Sequence, residues 1–245
     1  MIDIARDNWL LFLIGQYPNG PLGGLAATLI IAALGLILAF PCAMLLALGR
    51  LSPVWWLRVP ASAIVHTVRG TPFLMVIFWA YFALPLIIGR PVEGFWTLIG
   101  ALVLYESAYL AEVIRAGIKA LPSGQTEAAR SLGLGYWRTM WFVILPQALF
   151  NSLPSLLSQF VSLIKETSLG YVISVNEFTF AAAQVNSMLL TKPVQVFALL
   201  AITYFIVCFT LTQTARLLEG KIARRRSGNS RTAQPDAILA TEPTP

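Results

Sequence analysis

Four stretches of this sequence, Leu22 to Leu48, Gly70 to Gly89, Thr139 to Ile164 and Pro193 to Ala215, contain no Asp, Glu, Lys or Arg. A helix crossing a hydrocarbon core of about 30 Å needs about 20 predominantly apolar residues, so each stretch has the length of a membrane span. The second extends backwards through Val59 to Val68 if Arg69 is tolerated. A fifth, Phe95 to Ile114, reads FWTLIGALVLYESAYLAEVI and is interrupted only by Glu106 and Glu112. With 57% hydrophobic and 11% charged residues, the chain lacks the charged shell of a soluble domain, where charged residues make up about 25%. The expected fold is all-α, a polytopic membrane protein with about five transmembrane helices.

The first apolar run follows Asp3, Arg6 and Asp7 and far exceeds the core of a cleaved signal, so it reads as a retained span. Residues 1–19, with Trp9 to Leu13 as a short apolar patch, read as a segment at the outside interface. Five spans put the termini on opposite sides, and the Lys/Arg bias chooses between them. With the amino terminus outside, the inner segments hold Arg50 and Arg58, then Arg115, Lys119, Arg130 and Arg138, then Arg216, Lys221, Arg224, Arg225, Arg226 and Arg231. Those are twelve of the seventeen basic residues, against Arg6, Arg90 and Lys192 outside. The run at Lys221 to Arg226 reads as an inside anchor that attracts anionic membrane lipid. Residues 227–245, rich in Ser, Thr, Pro and Ala, read as a disordered cytoplasmic tail. The net charge of +6 is spread between apolar runs, with no basic face for nucleic acid. Cys42 and Cys208 lie in apolar runs without metal-like spacing and read as packing residues. His66, the single histidine, reads as a packing or interhelical hydrogen-bonding group, and no metal site or catalytic triad can be assembled around it.

The connector from Arg115 to Arg138, RAGIKALPSGQTEAARSLGLGYWR, is unusually well specified. Pro122 and Gly124 stop the preceding helix, and Ser123 is placed to cap a short helix from about Gln125 to Leu132, with Glu127 in its first turn. Gly133 and Gly135 then free the backbone to turn, and Tyr136 and Trp137 lead back to the membrane. Glu127, Ala128 and Ala129, then Gly133, then Leu145 and Pro146 resemble the EAA motif of ABC importer permeases, with Val143 where the family usually has Ile. The segments VRGTPFLMVIFWAYFALP at Val68 to Pro85, SAYLAEVIRAGI at Ser107 to Ile118 and LIKETSLGYVI at Leu163 to Ile173 resemble the polar amino acid branch, and the first looks most like glutamate/aspartate permeases. The likeness covers a transmembrane domain at residues 20–226, with the coupling loop at about 116–146.

The resemblance implies a permease subunit of a bacterial inner membrane, multi-pass, with its amino terminus outside and carboxyl terminus cytoplasmic. It implies that Glu127, Ala128, Ala129, Gly133, Leu145 and Pro146 couple the spans to a cytoplasmic ABC ATPase dimer. It also implies a second permease subunit, identical or homologous, and an extracytoplasmic binding protein that delivers a polar amino acid, glutamate or aspartate on the strength of Val68 to Pro85. Glutamine, histidine, arginine or L-amino acids in general are the alternatives. The chain has no GxxxxGK[ST] phosphate cradle, so ATP is expected to bind the partner and the chain itself is expected to be neither an enzyme nor cofactor-dependent. A membrane-embedded enzyme using Glu106, Glu112 and His66, and a channel, are rivals from other classes, and neither explains the coupling loop.

An ionisable residue inside a span is costly unless it pairs or faces an aqueous cavity. Arg69 and Glu106 each lie about 11 residues in from opposite edges, roughly 16 Å deep at 1.5 Å per residue, and are expected to meet near the midplane. Glu112 has Arg115 at i, i+3. Lys165 and Glu166 point about 100° apart on a helix and are expected to pair with Arg69 and Glu106 rather than with each other. Arg69 or Lys165 is thus a candidate for a substrate carboxylate and Glu106 or Glu166 for its ammonium, with Thr71, Ser107 and Thr167 adding hydrogen bonds. The alternative of equal weight is that these charges lock the helices together. Pro72 interrupts the second span, either as a simple kink or as a broken helix lining a cavity.

Overall fold

The computed structural model describes residues 1–231. Two short helices, α1 (Ile2–Asp7) and α2 (Trp9–Ile14), precede α3 (Gly24–Leu51). Next come α4 (Trp55–Arg69) and α5 (Phe73–Phe78), the latter running through a π turn into α6 (Leu84–Ile88). Helix α7 (Gly94–Lys119) leads to the connector helices α8 (Ser123–Ser131) and α9 (Tyr136–Thr139). A second π turn (Met140–Ile144) joins α9 to α10 (Leu145–Glu166), which tightens into a 3-10 segment (Thr167–Ile173) before α11 (Phe178–Leu189) and α12 (Pro193–Arg231). Four helical stretches among the described residues are long and apolar enough to cross a membrane, and the bent pair Trp55–Arg69 with Phe73–Ile88 makes a fifth. The all-α architecture of about five spans expected from the apolar runs is therefore present. Residues 227–231 continue α12, whereas the rest of the segment read as a disordered tail lies outside the described residues.

The pair of helices flanking Gly70 and Pro72 is bent by 104°. Thr71 N–H closes α4 on the Val68 carbonyl at 3.1 Å, and Met75 N–H opens α5 on the Pro72 carbonyl at 2.9 Å, so the hydrogen-bond ladder is broken between them. Pro72 removes a donor and holds its own φ at −60°. The bend is thus a broken helix, well beyond the tilt of a simple kink. Both π turns immediately precede a Leu–Pro pair, Leu84–Pro85 and Leu145–Pro146. A proline ring clashes with the carbonyl four residues back, and widening the turn relieves that clash without ending the helix.

Helix α7 is the axis of the bundle. Of its most apolar window, 67% is buried, against 28% for α3 and 6% for α12, which lies at the periphery. Along one half of the α3/α7 contact, Ala39, Ala43 and Ala47 recur every four residues against Ala108 and Ala111. Small side chains at that period let two backbones approach closely where lipid gives no hydrophobic drive for association. Larger residues, Ile31, Ile77, Leu98, Leu102, Leu163 and Ile164, fill the other half between α3, α5, α7 and α10. Near its end α7 crosses α10 at Gly117, where an added Cβ would lie 3.1 Å from the Ala148 carbonyl and against the Ser152 side chain. Gly117→Leu is therefore expected to lower stability by about 1–3 kcal/mol, read as a drop in melting temperature of the detergent-solubilised protein.

The amino-terminal helices pack through Ile4 and Phe12 onto Phe178, Ala182, Val185 and Val196, while Trp9, Leu10 and Leu13 stay exposed. A buried carboxylate, Glu177, caps α11 by accepting N–H bonds from Thr179 and Phe180, each at 2.8 Å, and the Tyr204 hydroxyl at 3.2 Å. His66 departs from expectation: its Nδ1 lies 2.6 Å from the Ser62 carbonyl of its own helix, on an exposed face. Cys208 packs against the main core, but Cys42 is exposed, on the outward side of α3.

Candidate functional site

The connector and the intramembrane charges form two separate structures. The connector helix starts at Ser123 itself, with Pro122 in the cap position and no side-chain cap. The ring of Pro122 fixes its φ, here −59°, and with ψ at 139° it takes the non-helical conformation of a cap residue, so the expected Ser123 cap is not used. Starting two residues early also puts Glu127 beyond the first turn, where it is exposed and has no role in capping. The helix closes in a Schellman turn: Gly133 N–H reaches the Arg130 carbonyl at 2.9 Å and Leu134 N–H the Ala129 carbonyl at 3.2 Å. Gly133 has φ +79°, a left-handed conformation that costs a side-chain-bearing residue about 1–2 kcal/mol. Gly133→Val is expected to unwind this turn, seen as faster protease cleavage between Arg130 and Arg138.

The resulting knob is asymmetric. Ala129 is buried, while Glu127, Ala128 and Gly133 are exposed and Leu132 is 83% exposed. Leu132 is thus an exposed apolar side chain at the end of the knob, outside the motif that singles out Glu127. Beneath the knob, Met140 and Ile144 pack on Leu48 of α3, and the Tyr136 hydroxyl donates to the Leu51 carbonyl at 2.8 Å. Gln147 Nε2 lies 3.4 Å from Gln125 Oε1. Leu145 is buried in the α3/α7 contact, whereas Pro146, in the first turn of α10, is exposed.

Inside the bundle, Arg69 and Glu106 do not meet. Arg69 ends α4 at the elbow, and its guanidinium lies 5.3 Å from the centre of the Tyr109 ring and 3.6 Å from Glu112. Glu112 sits six residues, about 9 Å along the helix axis, beyond Glu106. Helix α4 is a separate helix set at a steep angle to α5, so residue counting along one straight axis misplaces its end. Glu112 also pairs with Arg50 and, as the i, i+3 spacing predicts, with Arg115.

Glu106 is fully buried. Gln159 Nε2 approaches its Oε1 at 3.4 Å, and the Glu166 carboxyl faces it from α10. One oxygen of each carboxyl, Oε2, is buried without a hydrogen-bond partner. Glu166 thus meets another carboxyl, contrary to the expected cation, and Lys165 is exposed, with no ion pair among the described residues. The hydroxyls donate to carbonyls three or four residues back: Ser107 to Leu104 at 2.8 Å, Thr167 to Ile164 at 2.7 Å and Thr71 to Thr67 at 2.9 Å. Tyr105 and Tyr109, whose hydroxyls are 3.1 Å apart, continue the polar line along α7 from Glu106 to Glu112. Their helical spacing was visible in the sequence, but as aromatics in an apolar run they read as packing. What the arrangement offers is a buried acidic pair with unsatisfied acceptors, suited to a cation, and a cluster of guanidiniums about two turns away, suited to an anion.

The chain matches the family described as binding-protein-dependent transport system inner membrane component over residues 39–224. It is 36% identical over 227 residues to the inner membrane amino-acid ABC transporter permease protein YhdY of Escherichia coli (strain K12), covering 89% of this chain and 62% of that longer protein. It is 39% identical over 212 residues to the probable glutamine ABC transporter permease protein GlnP of Bacillus subtilis (strain 168), covering 84% of this chain and 97% of the relative. Among solved structures, an amino acid ABC transporter with histidines superposes with a TM-score of 0.75 at 32% identity, over 81% of this chain and 92% of the other. The chain belongs to the binding-protein-dependent transport family of inner membrane components, in its amino-acid ABC permease branch. The resemblance carried by the EAA loop is thereby upheld.

Proposed function

We propose that this chain is the membrane-spanning subunit of an ATP-driven importer of polar amino acids, coupled to a separate cytoplasmic ATPase dimer through α8. The observation that carries this reading is the exposed, rigid knob of Glu127, Ala128 and Leu132, ending in the Gly133 turn and seated on the ends of the spans. A rigid knob in that place converts closure of an ATPase into rocking of the bundle. A binding protein on the far side supplies the solute, a second permease, identical or similar, completes the path, and the Lys/Arg bias puts the amino terminus outside. Glutamate or aspartate is the substrate reading favoured by the likeness of Val68 to Pro85. A second reading is favoured by the buried pair Glu106 and Glu166, whose free oxygens suit a neutral or cationic amino acid such as glutamine, histidine or arginine. Uptake of radiolabelled glutamate against arginine, in vesicles containing this permease, its ATPase and its binding protein, separates the two. Absence of ATP-dependent uptake of any amino acid by that assembly overturns the proposal.

A further inference from the structure

Glu112 gathers three guanidiniums from three parts of the chain. Arg50 is the penultimate residue of α3, Arg69 is the last residue of α4 at the elbow, and Arg115 follows one turn later in α7. The Arg50 side chain is only 9% exposed and that of Glu112 24%, so this is a partly buried cluster and not a solvated surface pair. Removing its one carboxylate would leave three like charges near each other with only partial screening by water, which loosens the hold of the elbow on α3.

The residue next to Arg50 carries the other half of the connection. The Leu51 carbonyl accepts the hydroxyl of Tyr136, the first residue of α9, immediately after the coupling knob. Helix α3 is thus held at successive residues from two directions: by the knob at Leu51 and, through Glu112, by the elbow at Arg50. Helix α3 is stiff at this end because its alanine stripe is packed on α7, and the elbow is the hinge, because the backbone ladder is broken there. Thr71 and Arg69 of the candidate path lie at that hinge. A stiff lever gripped at one point by the knob and at the next by a hinge is a physical means of coupling two sites, since both contacts act on one element.

We infer that Tyr136 and Glu112 are positioning residues of a single relay, by which movement of the α8 knob shifts the end of α3 and resets the elbow beside the substrate path. The inference rests on the reading that α8 docks an ATPase. Neither residue touches nucleotide or the acidic pair, so their loss is expected to separate hydrolysis from transport rather than to stop hydrolysis.

The test uses the assembled transporter in proteoliposomes with its binding protein, measuring ATP hydrolysed and amino acid imported in the same sample. Glu112→Gln and Tyr136→Phe are each expected to assemble normally and to raise the ATP consumed per solute about tenfold, the scale of a typical coupling between sites. Glu112→Asp, which keeps the charge, is expected to restore most of the coupling. The double variant is expected to be no worse than the worse single one, because both contacts lie in one line. An unchanged ratio, a proportional fall of hydrolysis and uptake, or effects that multiply in the double variant would each overturn the relay while leaving the importer reading intact. Failure of the unaltered chain to assemble with an ATPase overturns both.

Discussion

Glu127→Lys is expected to release the permease from its ATPase and to abolish ATP-dependent uptake while leaving the membrane domain folded. Glu127 is exposed, its side chain has no hydrogen-bond or ion-pair partner among the described residues, and the Ser131 hydroxyl donates to its backbone carbonyl at 3.0 Å. Nothing inside the chain therefore depends on its charge. At a docked interface the same carboxylate becomes a desolvated partner, and reversing it leaves a cation where an anion was matched, a loss of about 2–5 kcal/mol. By the usual conversion this weakens association by on the order of thirtyfold or more. Co-purification from solubilised membranes reads the effect directly, and an unchanged melting temperature of the isolated permease separates it from misfolding. Retained association with full uptake would remove α8 from the coupling role. Leu132→Ser offers an independent check on the same surface, with a smaller expected loss because one apolar contact is removed and no charge is reversed.

Glu106→Gln is expected to lower uptake about ten- to a hundredfold, the range for losing a hydrogen bond to a charged group, about 1.5–3 kcal/mol, without reducing assembly with the ATPase. The carboxyl is fully buried between Gln159 and Glu166, so an amide fits the same space and removes the acid group offered to an ammonium. Arg69→Gln tests the other group of the pair. If both variants left the apparent affinity of transport unchanged and lowered only the yield of assembled complex, these charges would be helix locks and the path would lie elsewhere. The structure already separates the two residues, since Arg69 belongs with Glu112 and Glu106 with Glu166. Loss of uptake in Glu106→Gln with normal Arg69→Gln would therefore localise recognition to the acidic pair.

The connector between α7 and α10 was the most legible part of this protein because its information is local. Pro122, Gly133 and the small residues between them act within one turn of themselves, so spacing along the chain foretold a short helix and its sharp end. The details that slipped, the unused Ser123 cap and the placement of Glu127 past the first turn, are shifts of one or two residues at a helix start, decided by the φ and ψ of Pro122. Leu132 went unnoticed for a different reason: a leucine next to a helix is ordinarily buried, and only the fold shows it standing in solvent.

Taken alone, the sequence determined the solvent, the approximate number of the spans, the all-α fold and the family, because apolar run length and motif spacing are properties of the chain read in order. The tertiary structure decided which charges meet. Coulomb and hydrogen-bond energies depend on distances between helices, and a single broken ladder at Pro72 turned α4 by 104° against α5, carrying Arg69 away from Glu106 and onto Glu112. It left Glu166 beside Glu106 and Lys165 exposed, reversing the pairing that opposite charge alone had suggested. It also brought Tyr136 and Leu51, far apart in the chain, into a 2.8 Å hydrogen bond. Helix packing through small residues sets such meetings, and the pattern of apolar runs carries no record of the angle at which two helices cross.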